Sequence, residues 1–352
     1  MSDQKLAIGV VGAGYWGPNL LRNFAACPAT RVAAICDANA TRLQSVARNY
    51  SDSIAVTSLD RLLELKLDAV AIATPASTHF EMARRALEAG LHVMIEKPLA
   101  ASVNEARALV ELAARHDRRL MVDHTYLFHP AVRKIHEIIR RGDLGDLYCI
   151  DSIRINLGLF QHDVNVVWDL APHDLSIIQH VIGRDPQSIG ASGCAHADPE
   201  IEDVAYVNID YGQGMCASVH VNWLSPVKVR QMMFVGSKKS LIFNELNASE
   251  PVKVYDRGVS FDSNDETERR MRVSYRSGDV WSPQIEPGEA LQNAVGHFAQ
   301  CVRTGETPIS DGQLGLRVVE LLEAANRSIR SQGRRVILQD EPAAPTVATQ
   351  SC

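Results

Sequence analysis

The sequence predicts an α/β domain on a doubly wound parallel sheet, followed by an α+β domain on an open, mainly antiparallel sheet. Three observations carry this. From Leu6 to about Tyr126, short β-branched runs alternate with longer stretches of helical period. A Gly-x-Gly-x-x-Gly turn follows the first of those runs. Beyond Pro130 the rhythm changes to a succession of strand-like segments joined by short glycine-containing turns.

The first block has strand candidates at Leu6–Val11, Arg31–Asp37, Ile54–Val56, Asp68–Ala73, His92–Ile95 and Leu120–Val122. Amphipathic stretches such as Ser77–Ala89 and Val103–His116 lie between them, so right-handed crossovers and a parallel sheet follow. In the second block Pro130–Arg141 has a helical pattern closed by Gly142, with Gly145 next in the turn. Strand patterns then occupy Leu147–Leu157, Gln187–Ala195, Ala205–Tyr211, Met215–Leu224, Lys228–Val235 and Ser240–Asn244. The turn Tyr211–Gly214 is of hairpin type. A helix over Ala171–Ile182 interrupts these strands, and helical patterns at Glu289–Arg303 and Gln313–Arg330 close the fold. The expected division is therefore residues 1–126, residues 127–340 and a disordered tail over 341–352, with Asp262–Arg270 a charged mobile loop.

The chain has 352 residues, of which 46% are hydrophobic, enough for two ordinary cores. A formal net charge of −6 argues against nucleic acid or an anionic membrane surface as the main partner. The seven cysteines are scattered and form no Cys-x-x-Cys pair, so neither a disulfide framework nor a zinc site is expected. No stretch approaches a membrane span, and the N-terminal apolar run is too short for a secretory leader; a cytoplasmic protein without a metal follows.

Gly12-Ala13-Gly14-Tyr15-Trp16-Gly17 links the first strand to a helix at Pro18–Ala26. Glycines there permit a tight turn and close approach of a pyrophosphate to the helix N-terminus, which is the Rossmann dinucleotide cradle. The second strand ends at Asp37, twenty residues past Gly17. A carboxylate at that point accepts the adenosine ribose hydroxyls and repels a 2′-phosphate. Ala38 and Asn39 follow with no adjacent arginine, so NAD is favoured over NADP. The competing reading makes Asp37 a helix N-cap. Thr74 and Pro75, after the fourth strand, stand at the ligand-binding edge, and His79 faces either the cofactor or the surface.

Catalytic chemistry is suggested at two places. The fifth strand runs into Glu96-Lys97-Pro98, where the proline makes Lys97 extended, or the bond cis, and so directs the lysine toward the nicotinamide half of the cofactor. Trp168-Asp169-Leu170-Ala171-Pro172-His173 sets a carboxylate and an imidazole four residues apart, on one face if helical. The alternatives are a surface lysine and an Asp169 N-cap; Pro172 weakens the second because it lacks one of the N–H groups such a cap binds.

Taken together and in this order, the glycine turn, Glu96-Lys97-Pro98 and Asp169-x-x-x-His173 resemble the GFO/IDH/MocA oxidoreductases, over nearly the whole chain from Lys5 to about Arg330. The resemblance implies proton transfer through Lys97 and His173, substrate placement by Asp169, and a homo-oligomer (dimer or tetramer) built on the open sheet. The segments Asn156–Asp169, Asn222–Lys228 and Tyr275–Trp281 are similar to the branch acting on nucleotide-linked amino sugars. That likeness implies NAD-dependent oxidation of the C3 hydroxyl of UDP-N-acetylglucosamine, feeding an aminotransferase in lipid A or surface-polysaccharide synthesis. Asn156, Gln161 and Asn165 would contact the sugar or else stabilise their loop, and Arg154, Lys228 and Arg230 would meet its diphosphate or else stand as surface charges on strands. Oxidation of UDP-N-acetylglucosaminuronic acid, keto-sugar reduction, an inositol-type dehydrogenase and an NAD-sensing regulator stay open.

Overall fold

The computed structural model describes residues 4–158, 160–161, 164–261 and 273–338. Its first sheet has six parallel strands: β1 (Leu6–Val11), β2 (Thr30–Cys36), β3 (Ile54–Val56), β4 (Ala69–Ile72), β5 (His92–Glu96) and β6 (Leu120–Asp123). Their spatial order is β3-β2-β1-β4-β5-β6. β1, β4 and most of β5 are continuous apolar runs, as strands covered on both faces must be. The helices between them are α1 (Gly17–Ala26), α2 (Ala40–Ala47), α3 (Leu59–Leu63), α4 (Ala76–Glu88) and α5 (Val103–Arg115). Strand order reverses between β1 and β4, which opens a crevice at the carboxyl ends of the strands.

After a short 3-10 turn (Thr125–Phe128) and α6 (Pro130–Arg140), β7 (Leu147–Leu157) starts the second sheet. The elements that follow are α7 (Val166–Ile182), β8 (Ser188–Cys194), β9 (Val204–Gly212), β10 (Met215–Asn222), β11 (Leu224–Gly236), β12 (Ser240–Asn244), β13 (Val252–Phe261), β14 (Val273–Trp281), α8 (Ala290–Thr304), α9 (Gly312–Arg330) and β15 (Val336–Ile337). The sheet runs β14-β13-β12-β11-β7-β10-β9-β8-β15. Its pairing is antiparallel except between β7 and β10. α7 and α9 cover one face. The other face presents Tyr206, His220 and Ile153 in one row across β9, β10 and β7.

Three features depart from expectation. β14 lies at the sheet edge, where Tyr275–Trp281 are exposed and the buried-face alternation that betrays a strand is missing; β13 beside it buries Val252 and Val254 and then exposes Arg257. Helix α7 starts at Val166, ahead of the expected Ala171, and carries Pro172 inside it. Asn165 caps the helix by accepting the Trp168 N–H at 3.2 Å, and burial of Val166, Val167 and Trp168 outweighs the preference of proline for a first turn. Finally, the second block does not stay apart from the first. Ser310 pairs with Val122 through backbone and hydroxyl bonds of 2.8 and 2.7 Å, covering the β6 edge, while α8 packs on α1 and α9 on α5. The expected loop at Asp262–Arg270 and tail over 341–352 lie outside the described residues.

The floor beneath α7 is polar. Arg154 of β7, 3% exposed, gives Nε and Nη2 to the two carboxylate oxygens of Asp174 at 2.7 and 3.1 Å. Removing one partner leaves a charge in a dry site, so Asp174→Ala should destabilise the protein by about 3–5 kcal/mol. Chemical denaturation measures it, and a loss within the range of surface substitutions would contradict this account of the pair.

Candidate active site

A cavity of about 1700 Å³ runs from the crevice of the first sheet to the floor of the second. Its outer end is the glycine turn. Gly12 has φ +94°, and a Cβ there would fall 2.6 Å from the Ala73 carbonyl oxygen; one on Gly17 would fall 2.0 Å from that of Gly12. Gly17 therefore closes the turn from behind and does not line the cavity, whereas Gly14 faces open space whose nearest atom, a guanidinium nitrogen of Arg42, is 3.8 Å off. Tyr15 and Trp16 flank it, with Tyr15 90% exposed. Helix α1 opens with no side-chain cap and no acid in its first turn, leaving N–H groups for an anion.

Asp37 stands at the end of β2, 7% exposed. It accepts the Ala13 and Asn39 N–H groups, each at 2.8 Å, and Arg42 Nη1 at 3.4 Å. The N-cap of α2 is Asn39, which accepts the Arg42 N–H, so Asp37 is not spent on capping. Arg42 corrects the reading of this site as free of arginine: one helical turn brings it onto Asp37 from five residues away. Thr74 and Pro75 line the cavity at the β4 edge. His79 does not. It is 1% exposed, with Nδ1 2.8 Å from the Pro98 carbonyl oxygen and Nε2 2.9 Å from that of Thr74, and so ties the β5 and β4 edges together behind the cavity.

Lys97 projects from the β5 edge, and its bond to Pro98 is cis. Its Nζ donates to the Asp169 carbonyl at 2.9 Å and stands 3.7 Å from Asp169 Oδ1. Glu96 beside it is buried against Asp123, the last residue of β6. Burial and the neighbouring Asp123 carboxylate push Glu96 well above the usual range, and burial raises Asp123 as well. Glu96 accepts the Lys97 N–H at 3.0 Å, while Asp123 accepts Thr125 Oγ1 at 2.8 Å and Trp16 Nε1 at 3.3 Å.

From the other side α7 supplies Asp169 and His173 to the same cavity. The His173 ring meets Tyr126 edge-on at 5.0 Å, and its Nδ1 has no partner. Burial, then the Lys97 charge and those of Arg154 and Arg230, hold His173 well below its ordinary value, so it is neutral near pH 7. Tyr126 donates to Glu245 at 2.8 Å, and Arg230 Nη1 reaches Tyr126 Oη at 2.9 Å and Glu245 at 3.0 Å. Carboxylate, ammonium and neutral imidazole thus converge on one wall of a pocket whose other end is a dinucleotide cradle.

Residues 6–124 match the family model described as "Oxidoreductase family, NAD-binding Rossmann fold", and residues 132–242 match the GFO/IDH/MocA C-terminal domain. The chain belongs to the GFO/IDH/MocA oxidoreductase family. It is 28% identical over 314 residues to the UDP-N-acetylglucosamine 3-dehydrogenase of Acidithiobacillus ferrooxidans, covering 88% of this chain and 93% of that protein. The solved structure of that dehydrogenase aligns with a TM-score of 0.76 at 26% identity, over 93% of this chain and 98% of its own. The D-apiose dehydrogenase of Paraburkholderia graminis is 25% identical over 361 residues, 97% of this chain and 92% of its own. The WlbA dehydrogenase of Bordetella pertussis, solved with NADH and UDP-GlcNAcA, shares the fold at a TM-score of 0.78 and 20% identity, over 96% of this chain and 100% of its own. The protein is an oxidoreductase whose cofactor is NAD.

The polar residues expected to hold substrate in this oxidoreductase divide. Asn156 and Gln161 line the cavity. Asn165 does not: its Oδ1 caps α7 and its Nδ2 donates to Glu202 at 2.7 Å and Asn326 at 3.0 Å. Arg154 is the buried partner of Asp174, closed off from any diphosphate. Lys228 is exposed outside the cavity, and Tyr275–Trp281 forms the edge strand β14. Leu159, His162 and Asp163 lie outside the described residues. Sequence reasoning missed Asp123, Tyr126 and Glu245 and noticed Trp223 only within Asn222–Lys228; all four line the site. The rule that singled out Lys97 at a strand's carboxyl end applies equally to Asp123; Glu245 is reachable only through the pairing of β12 with β11. Among the described residues no group of three or more His, Cys, Asp or Glu could hold a metal ion, and no helix is long and apolar enough to cross a membrane.

A carboxylate offers about four acceptor positions, and three on Asp37 are taken. For Asp37 to hold both ribose hydroxyls Arg42 would have to swing away, and its freed guanidinium would then suit a 2′-phosphate. Arg42→Ala should weaken NADPH about 10-fold or more while leaving NADH within about 3-fold, read by nicotinamide fluorescence titration. Equal losses for both would contradict this. A second expectation concerns His124, fully buried with neither ring nitrogen partnered and pushed down to about 3 by burial. Only the unfolded chain takes up that proton as the pH falls through about 6.5, so stability is full above this pH and drops below it. His124 should withdraw about 2 kcal/mol between pH 7 and pH 5. Denaturant titrations at both pH values should show the difference shrinking by that amount in His124→Gln, and an unchanged difference would refute it.

Proposed function

We propose that this oxidoreductase removes a hydride from the C3 carbon of a UDP-linked N-acetyl amino sugar, UDP-N-acetylglucosamine, and releases the 3-keto sugar. One observation carries the reading: Lys97, Asp169 and His173 meet on a cavity continuous with the dinucleotide cradle and large enough for a nucleotide sugar beside the cofactor. Gly12, Gly14, Asp37, Thr74 and Pro75 hold the dinucleotide, with Glu96 and Lys97 beside its nicotinamide end. NAD, when bound, supplies a hydride acceptor. Asp169 orients the sugar and the Lys97 ammonium, His173 takes the hydroxyl proton as a neutral base, and Lys97 stabilises the alkoxide that develops. Asn156 and Gln161 meet the hydroxyl and acetamido groups.

The guanidinium nearest the reactive wall, that of Arg230, favours a neutral pyranose over a uronic acid. Arg230 is paired with the Glu245 carboxylate at 3.0 Å. A sugar C6 carboxylate would compete for a guanidinium already engaged. The open face of the second sheet, with Ile153, Tyr206 and His220 in a row, supports assembly as a homo-oligomer. The keto product makes an aminotransferase the natural next enzyme, in the cytoplasm, where nucleotide sugars and NAD are available.

The test is turnover of NAD with UDP-N-acetylglucosamine, UDP-N-acetylglucosaminuronic acid, myo-inositol and free sugars, drawn forward by a coupled aminotransferase and glutamate. Reduction with the first and not the others is expected. Response to another sugar alone would replace the substrate and keep the chemistry. Lys97→Ala and His173→Ala should each lower kcat by about 10²–10⁴-fold with NADH binding retained, and near-normal turnover in either would overturn its role.

A further inference from the structure

The segment Asn222–Lys228 attracts notice in the sequence as a sugar-binding stretch, yet its tryptophan has a different task. Trp223 is 0% exposed. Its backbone is clamped on both sides, the N–H donating to the Asp203 carbonyl at 2.9 Å and the carbonyl accepting from the Gly158 N–H at 3.0 Å. The indole lies on Gly158, where a Cβ would fall 2.8 Å from the Trp223 Cδ1, and meets Phe160 at 5.4 Å. Burying an indole N–H without an acceptor costs free energy. It finds Asp169 Oδ2 at 3.0 Å.

We propose that Trp223 is a positioning residue that acts through Asp169: it occupies one carboxylate oxygen and so aims the other at Lys97. The reading rests on Asp169 and Lys97 forming the reactive wall described above. Asp169 offers Lys97 two oxygens, its carbonyl at 2.9 Å and Oδ1 at 3.7 Å, so the orientation of this one residue decides where the ammonium stands. With the indole donor removed, the carboxylate is free to turn and close a direct ion pair with Lys97, drawing the ammonium away from the sugar oxygen. Gly158 is part of the device, because any side chain there displaces the ring.

Trp223→Phe keeps the aromatic volume and deletes the donor. It should lower kcat about 10-fold to 10²-fold, change NADH affinity less than about 2-fold and move the pH profile of kcat. In an Asp169→Ala background the same substitution should do almost nothing further, since both act through one group. Gly158→Ala should reproduce the loss if the phenylalanine variant fails to fold. Among the indole N–H resonances of the four tryptophans, that of Trp223 should be downfield and slow to exchange, and should shift in Asp169→Ala. An unmoved resonance, or an equal loss of kcat in both backgrounds, would overturn the inference. The resonance needs no substrate, so it decides the contact even if UDP-N-acetylglucosamine proves the wrong sugar.

Discussion

The ion pair of Arg154 with Asp174 sets the position of helix α7, and most of the site depends on where that helix lies. Both groups are almost fully removed from water, so their attraction is little screened, and their two-point geometry leaves α7 one rotation over β7. With Asp174 facing the sheet, His173 and Asp169 face the cavity. Arg154 also stacks over Tyr126 at 4.7 Å, and Tyr126 meets His173. A buried charge pair therefore orients the imidazole without touching the reaction.

The same polar floor keeps His173 neutral. Positive charge from Lys97, Arg154 and Arg230 adds to the cost of burial, and both oppose an imidazolium. Glu96 and Asp123 show the opposite case at the edge of the first sheet, where burial raises both carboxyls and the Asp123 charge raises Glu96 further. Environment, and not residue type, thus gives this site a neutral base on one wall and carboxyls held above their usual range on the other. Between them stands Lys97, held by a residue of helix α7 72 positions along the chain.

What connects the two sheets is also what closes them. Ser310 covers the β6 edge, and the helices after the second sheet return to pack on the first. The seam consequently holds Lys97 mostly out of solvent, which strengthens its contacts with Asp169.

The local signals in the chain specified the parallel sheet, the glycine turn, Asp37, and the positions of Lys97, Asp169 and His173 along it. Each depends on a short-range rule: apolar period, the steric freedom of glycine, or the end of a strand. Tertiary structure decided the rest, because it depends on which distant residues become neighbours. Arg154, a cation on a strand, became a buried counter-ion once Asp174 lay beneath it. Asn165, an amide before a helix, became its cap when α7 began ahead of its proline. Arg42 reached Asp37 through a helical turn, and Trp223 found Asp169 across 54 residues. Strand β14 has no buried face, so no alternation marks it in the sequence. Periodicity records which side of an element faces inward; what waits on that side is settled only by packing.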